Sequence, residues 1–261
     1  MGISPMLELR GITKRFSGIP VVKDVSFSVR PGEVLGYLGP NGAGKTTTIR
    51  MLAGLLDPSR GEILFEGRSV HGDLHAYKRR LGYIPEQSEI YPHLSAYDYL
   101  RMVGRLRGLA EASLEGRILS FLRVFDLEQD MHWPIASFSK GMRQKVLIAA
   151  ALLHDPDVLL FDEPLSGLDV TTGLVMRDLI RRLAAENKII IYSSHVLEVT
   201  EKICTKVIIL HKGEIVANDS VESLRQLMHL PSLAEIFSQL VLKEDTDAVA
   251  ARLVEAMKGE A

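Results

Sequence analysis

The stretch GPNGAGKTT, Gly39 to Thr47, constrains this chain more than any other. It fits G-x-x-x-x-G-K-[ST], a pattern that a glycine-containing chain can match by accident, so its setting decides what it means. Here an apolar run, Val34 to Leu38, precedes it, and helical periodicity from about Lys45 to Leu55 follows. A strand that runs through a glycine loop into a helix N-terminus aims converging N–H groups and the helix dipole at one point, and that point suits a phosphate. The reading assigns the loop's Gly39, Pro40, Asn41, Gly42, Ala43, Gly44, Lys45, Thr46 and Thr47 to nucleotide phosphates. Lys45 reaches the terminal phosphates and the Thr46 hydroxyl serves a magnesium ion.

A second apolar strand, in VLLFDEP, ends in two carboxylates. Ligands of open α/β sheets bind at the C-terminal ends of strands, which is where Asp162 and Glu163 emerge. Asp162 is assigned to the metal, and Glu163 to the attacking water as general base.

Around these two stretches the pattern alternates. LELRGITKRF and VVKDVSFSVR have the period of two of half-buried antiparallel strands. Residues from about 88 to 155 are helical, with almost no strand signal, and read as an insert in a nucleotide-binding core. The core resumes with DVLLFDEP, a helix from about Thr171 to Glu186, KIIIYSSH, a short helix, KVIILHKG and EIVAND. Strands alternating with helices require a mostly parallel sheet covered on both faces. Beyond Ser220 only amphipathic helices remain, giving a body over 1–219 and a helical tail over 220–261.

Composition narrows the class. A net charge of −2 gives no reason to expect nucleic acid as a partner, which would call for a basic face. The one cysteine, Cys204, cannot form an internal disulfide and reads as buried packing in a reducing compartment. MGISPMLELR lacks the basic flank and apolar run of a signal peptide. The longest apolar run, Val146 to Leu153, falls far short of the roughly 18 to 20 residues that a membrane span needs.

FSKGMRQK, Phe138 to Lys145, looks like a second phosphate-binding helix start. With the glycine loop, FSKGM and LLFDEP…SGLD in this order, the chain resembles the ATPase domains of ATP-binding cassette (ABC) transporters from about Leu7 to Asp219. The resemblance implies an α/β fold: a P-loop NTPase core with a mostly parallel sheet, an N-terminal antiparallel β subdomain and an inserted helical subdomain. It implies ATP and Mg²⁺ as ligands. It makes FSKGM the signature motif, so that Ser139, Lys140, Gly141 and Met142 face the ATP of a second cassette, identical or related. Ser166 to Asp169 resembles the loop that crosses between the two sites, with Asp169 placed at the nucleotide. His195 resembles the switch histidine at the γ-phosphate, and Phe16 the aromatic that stacks on adenine.

Two positions depart from the family pattern. Lys140 and Met142 stand where Gly and Gln are usual. In the loop before the insert, counting back from Tyr91 lands on Glu86, with Gln87 beside it, so either residue is a candidate for the metal-and-water position. PE and SKGMRQ look most like the branch that powers exporters of drugs, sodium or lipid-linked molecules. That branch implies a separate membrane permease, with Tyr91, Tyr97 and Tyr99 as candidate docking residues, and a place on the cytoplasmic face. The alternative is a soluble cassette ATPase acting on nucleic acid or ribosomes. A GTPase is disfavoured because NKII at Asn187 lacks the aspartate of the guanine-reading motif.

Overall fold

The computed structural model describes residues 6–86, 90–165, 168–241 and 256–257. Strands β1 (Leu7–Phe16) and β2 (Ile19–Val29) pair antiparallel, and β4 (Arg60–Phe65) and β5 (Arg68–Ser69) complete a four-stranded sheet in the order β2-β1-β4-β5. A six-stranded sheet takes β3 (Val34–Leu38), β6 (Leu81–Ile84), β7 (Val158–Asp162), β8 (Ile189–Ser193), β9 (Lys206–His211) and β10 (Glu214–Asp219). Its order is β10-β9-β3-β8-β7-β6, parallel except where β10 turns back on β9.

The alternation of side chains across strands explains the layering. On β7, Val158 and Leu160 face one core while Leu159 and Phe161 face another. On β8, Ile189 and Ile191 separate from Ile190 and Tyr192 in the same way. Both faces of these strands are therefore covered, which is why they read as unbroken apolar runs. One core joins the antiparallel sheet to α1 (Lys45–Leu52) and α2 (Leu74–Arg79). The other packs α3 (Ala96–Leu106), α4 (Glu111–Val124), α5 (Lys140–Leu152) and α6 (Val170–Ala185). A third lies under α7 (Leu197–Ile203), α8 (Val221–Met228) and α9 (Leu233–Val241).

Helix α1 stops at Leu52, short of the expected Leu55. Gly54 takes φ +63, its N–H reaches Met51 O at 3.0 Å, and the Leu55 N–H reaches Arg50 O at 2.9 Å. This left-handed glycine closure satisfies the last carbonyls of the helix and ends it. Between 66 and 86, where the sequence reading assigns no element, lie β5, α2 and β6. Cys204 packs on two of the cores, and burial raises its thiol pKa.

Candidate nucleotide site

The glycine loop leaves β3 at the carboxyl edge of the sheet, where β3 lies between β8 and β9. Gly39 has no room for a side chain: a Cβ there would lie 2.4 Å from Leu210 O on β9. Gly44 takes φ +106, a left-handed conformation that turns the chain into α1. The Lys45 ammonium folds back over the loop, with Nζ donating to Gly39 O at 2.7 Å and to Pro40 O at 3.2 Å. Burial lowers its pKa, and the nearby carboxylates of Glu163, Asp162 and Glu86 oppose that shift. Thr48 turns inward, where its hydroxyl donates to Gly44 O and accepts from the Tyr37 hydroxyl. Thr46 and Thr47 instead line an open cavity of about 450 Å³.

The same cavity is lined by Asn41, Gly42, Gly44 and Lys45 of the loop and by Glu86, Asp162, Glu163 and His195. Parallel pairing of β7 with β8 sets Asp162 beside Ser193 and carries the chain onward to Glu163 on one strand and His195 on the other. Asp162 is 1% exposed, and among the described residues neither of its carboxylate oxygens has a partner in full hydrogen-bonding geometry, although the Ser193 and Thr46 hydroxyls lie close enough to act on it. Burial pushes its pKa up, the hydroxyls of Ser193 and Thr46 pull it down, and Glu86 and Glu163 add repulsion. A buried carboxylate left unpaired is costly unless a cation completes it. With Thr46 on the same cavity, the donor set is one that a hard, oxygen-seeking cation fits.

Glu163 sits just past the strand at φ +51, an uncommon conformation for a side-chain-bearing residue, and costs about 1 kcal/mol. Its N–H donates to Ser193 O at 2.9 Å. One carboxylate oxygen lies 2.8 Å from His195 Nδ1, and the other accepts from the Ser194 hydroxyl at 3.3 Å. Its side chain is only 11% exposed, whereas the His195 ring stands 72% exposed at the mouth. The carboxylate is thus fixed while the imidazole is open to whatever fills the cavity.

Other candidates lie apart. Ser139 is the N-cap of α5, accepting from Met142 N–H at 3.1 Å, and both Ser139 and Lys140 are exposed. None of Ser139, Lys140, Gly141 and Met142 lines the cavity. Asp169 is the N-cap of α6, bonded to the Thr172 N–H at 2.9 Å and to its hydroxyl at 2.6 Å. It too lies outside the cavity. Phe16, 47% exposed, ends β1 with Lys14 Nζ 5.3 Å from its ring centroid and does not line the cavity; among the described residues the apolar lining comes from Val21. Glu86 borders both this cavity and an adjoining one of about 440 Å³, which Arg50 and Tyr83 also line. Gln87, Ser166 and Gly167 lie outside the described residues. Ser194, which the sequence reading does not single out, joins the site as a donor to Glu163. Its signal was the hydroxyl pair immediately before the histidine in YSSH.

A glycine loop between a buried strand and a helix, facing a carboxylate pair at the carboxyl edge of a parallel sheet, defines a P-loop nucleotide hydrolase. Comparison with known proteins narrows the class. The ABC transporter family model matches residues 22–166, more than half of the chain. The chain is 40% identical to the ABC transporter ATP-binding protein NatA of Bacillus subtilis, over 90% of this chain and 98% of that protein. It is 36% identical to the Nod factor export ATP-binding protein I of Ralstonia nicotianae, over 83% of this chain and 68% of the relative. A solved ATP-binding subunit of an ABC transporter superposes with TM-score 0.85 at 35% identity, covering 90% of this chain and 99% of that one. The chain belongs to the ABC transporter family: it is an ATP-binding subunit and an ATPase. No helix among the described residues is long and apolar enough to cross a membrane.

Proposed function

We propose that this chain hydrolyses ATP as one of a pair of cassettes and thereby drives a separate membrane permease of an exporter. One observation carries the reading. The glycine loop, Asp162, Glu163 and His195 share a cavity, whereas the signature residues Ser139 to Met142 present a second phosphate-suited helix end outside it. An exposed, capped helix start outside its own chain's cavity is suited to the phosphate of a neighbour. Two copies related by a two-fold axis would then complete two sites, each with one loop and one signature helix. Within this reading, 1–219 is the ATPase body, 88–155 its helical insert and 220–261 a C-terminal helical tail, of which α8 and α9 pack on the third core.

Glu163 accepts a proton from the attacking water. It is held for that task by Ser194 and His195 and by the Ser193 carbonyl behind its N–H. Lys45 and the loop N–H groups bind the phosphates, and the open imidazole of His195 contacts the terminal one. Thr46 and Asp162 would hold magnesium, with Glu86 or Gln87 completing the set. Bound there, magnesium supplies charge neutralisation on the phosphate oxygens. Phe16 stacks on adenine, and Asp169 lies on the path between the paired sites. Loss of the terminal phosphate removes contacts between the copies and opens the pair, which turns chemistry into motion. The Nod factor export protein and the linearmycin resistance protein of Bacillus subtilis, 34% identical over 81% of this chain, support the exporter assignment. The membrane partner places the chain on the cytoplasmic face, with Tyr91, Tyr97 and Tyr99 toward the permease.

The Glu163→Gln variant tests this. It should bind ATP, lose hydrolysis by about a hundredfold or more and run as an ATP-dependent dimer in size exclusion. Hydrolysis at the normal rate would remove Glu163 from the role of base.

A further inference from the structure

Helix α5 begins at Ser139, and it also reaches the hydrolysis centre from the inside. Gln144, the fifth residue of that helix, is 2% exposed, on a helix whose Val146, Ile148 and Ala149 belong to the buried core. Its side-chain Nε2 donates to the Pro164 carbonyl at 3.1 Å. Pro164 follows Glu163 directly, so this bond falls on the turn that aims the carboxylate. From the opposite side the Glu163 N–H is tied to the Ser193 carbonyl at 2.9 Å. A left-handed residue followed by a proline is a conformation that its surroundings must impose. Two hydrogen bonds, one from α5 and one to β8, impose it. A buried amide costs free energy unless it is hydrogen-bonded, and the bond to Pro164 supplies a partner here.

We propose that Gln144 is a positioning residue, through which α5 holds the Glu163–Pro164 turn in register with the signature end of the same helix. The proposal rests on the assigned roles of Glu163 and Ser139. Ser139 and Gln144 sit about one and a half turns apart on one rigid helix. A shift of α5 when its N-terminus closes on a neighbour's phosphate is therefore delivered to the chain's own base. Occupancy of the partner's ATP site thereby sets the alignment of Glu163 in this one.

Two variants of the full chain test it. Gln144→Met keeps length and burial but removes the donor. Its kcat should fall about tenfold, with KM for ATP and ATP-dependent dimerisation close to wild type and the thermal midpoint lower by only a few degrees, as the unpaired Pro164 carbonyl requires. Gln144→Glu replaces the donor with an acceptor at the alkaline pH where a buried carboxyl ionises, yet its protonated carboxyl can donate to Pro164. Its rate relative to wild type at each pH should therefore recover as pH falls, and that of Gln144→Met should stay flat. A wild-type kcat in Gln144→Met overturns the proposal. So does a loss in which KM for ATP or the ATP-dependent dimer changes along with kcat, or a flat pH ratio for Gln144→Glu. Glu163→Gln is measured alongside. If it is inactive while Gln144→Met is normal, the link alone fails; if it stays active, the base assignment fails and takes the link with it.

Discussion

At the scale of single residues, His154 has a property that titrates. It follows α5, and its Nε2 lies 3.0 Å from the Leu81 carbonyl at the start of β6, while Nδ1 is buried without a partner. Burial, reinforced by the Arg107 cation, lowers its pKa to about 4. A histidine kept neutral in the fold but free to protonate at about 6.5 when unfolded makes the unfolded chain bind more protons in acid. Its contribution is complete above pH 6.5 and is lost as pH falls toward 4. The expected loss from this residue is about 2 kcal/mol by pH 5. In denaturant melts at pH 7 and pH 5, His154→Gln should lose about 2 kcal/mol less than wild type between the two conditions. Equal losses would place the acid sensitivity elsewhere. Nothing in a lone histidine between Leu153 and Asp155 reveals this in the sequence, because the depression comes from what β6 and Arg107 bring to it.

Among elements, the same lesson falls on β6. Four residues between Arg80 and Pro85 are too few to establish a period, and only pairing with β7 makes them a strand. The strands β3, β7 and β8 are legible because burial on both faces writes them as continuous apolar runs. The glycine loop is legible because its ligands are contiguous, and the Asp162–Glu163 pair because it interrupts an apolar run. Gln144 and Ser194 are not, because their partners arrive only through packing of α5 and β8 on the turn after β7. Arg80, at the α2–β6 junction, shows how such elements are joined. Its guanidinium lies 2.5 Å from Asp157 at the foot of β7 and reaches both oxygens of Glu66 beyond β4, at 2.7 and 2.9 Å. It also covers the Phe65 ring at 4.6 Å, while its carbonyl accepts from the Asp157 and Val158 N–H groups. One side chain thus ties the antiparallel sheet to the edge of the parallel one. Arg80→Ala should cost about 1 kcal/mol and lower the thermal midpoint by ~2–4 °C, the ion pairs being partly exposed. Arg80→Lys should recover little, since an ammonium cannot span both carboxylates at once. A full recovery by lysine would reduce the role of Arg80 to charge.

At the scale of the whole molecule, the separation of two phosphate-suited helix starts becomes a statement about assembly. α1 opens onto the cavity with Lys45 and Thr46, whereas α5 opens outward with Ser139 as its cap. If α5 serves a neighbour, bulk and charge at Ser139 should act only when two copies meet. In the Glu163→Gln background, where hydrolysis does not dissolve the pair, Ser139→Arg should leave ATP binding by the monomer unchanged and abolish the ATP-dependent dimer. The substitution also removes the hydroxyl that accepts from the Met142 N–H, a change worth about 1 kcal/mol of helix stability. Ser139→Ala removes the same cap without the bulk, so it isolates that cost and should still dimerise, though more weakly. Loss of monomer ATP binding in Ser139→Arg but not in Ser139→Ala would mean that α5 faces its own chain's nucleotide. Dimers that form equally well with arginine would leave the signature end outside the interface altogether.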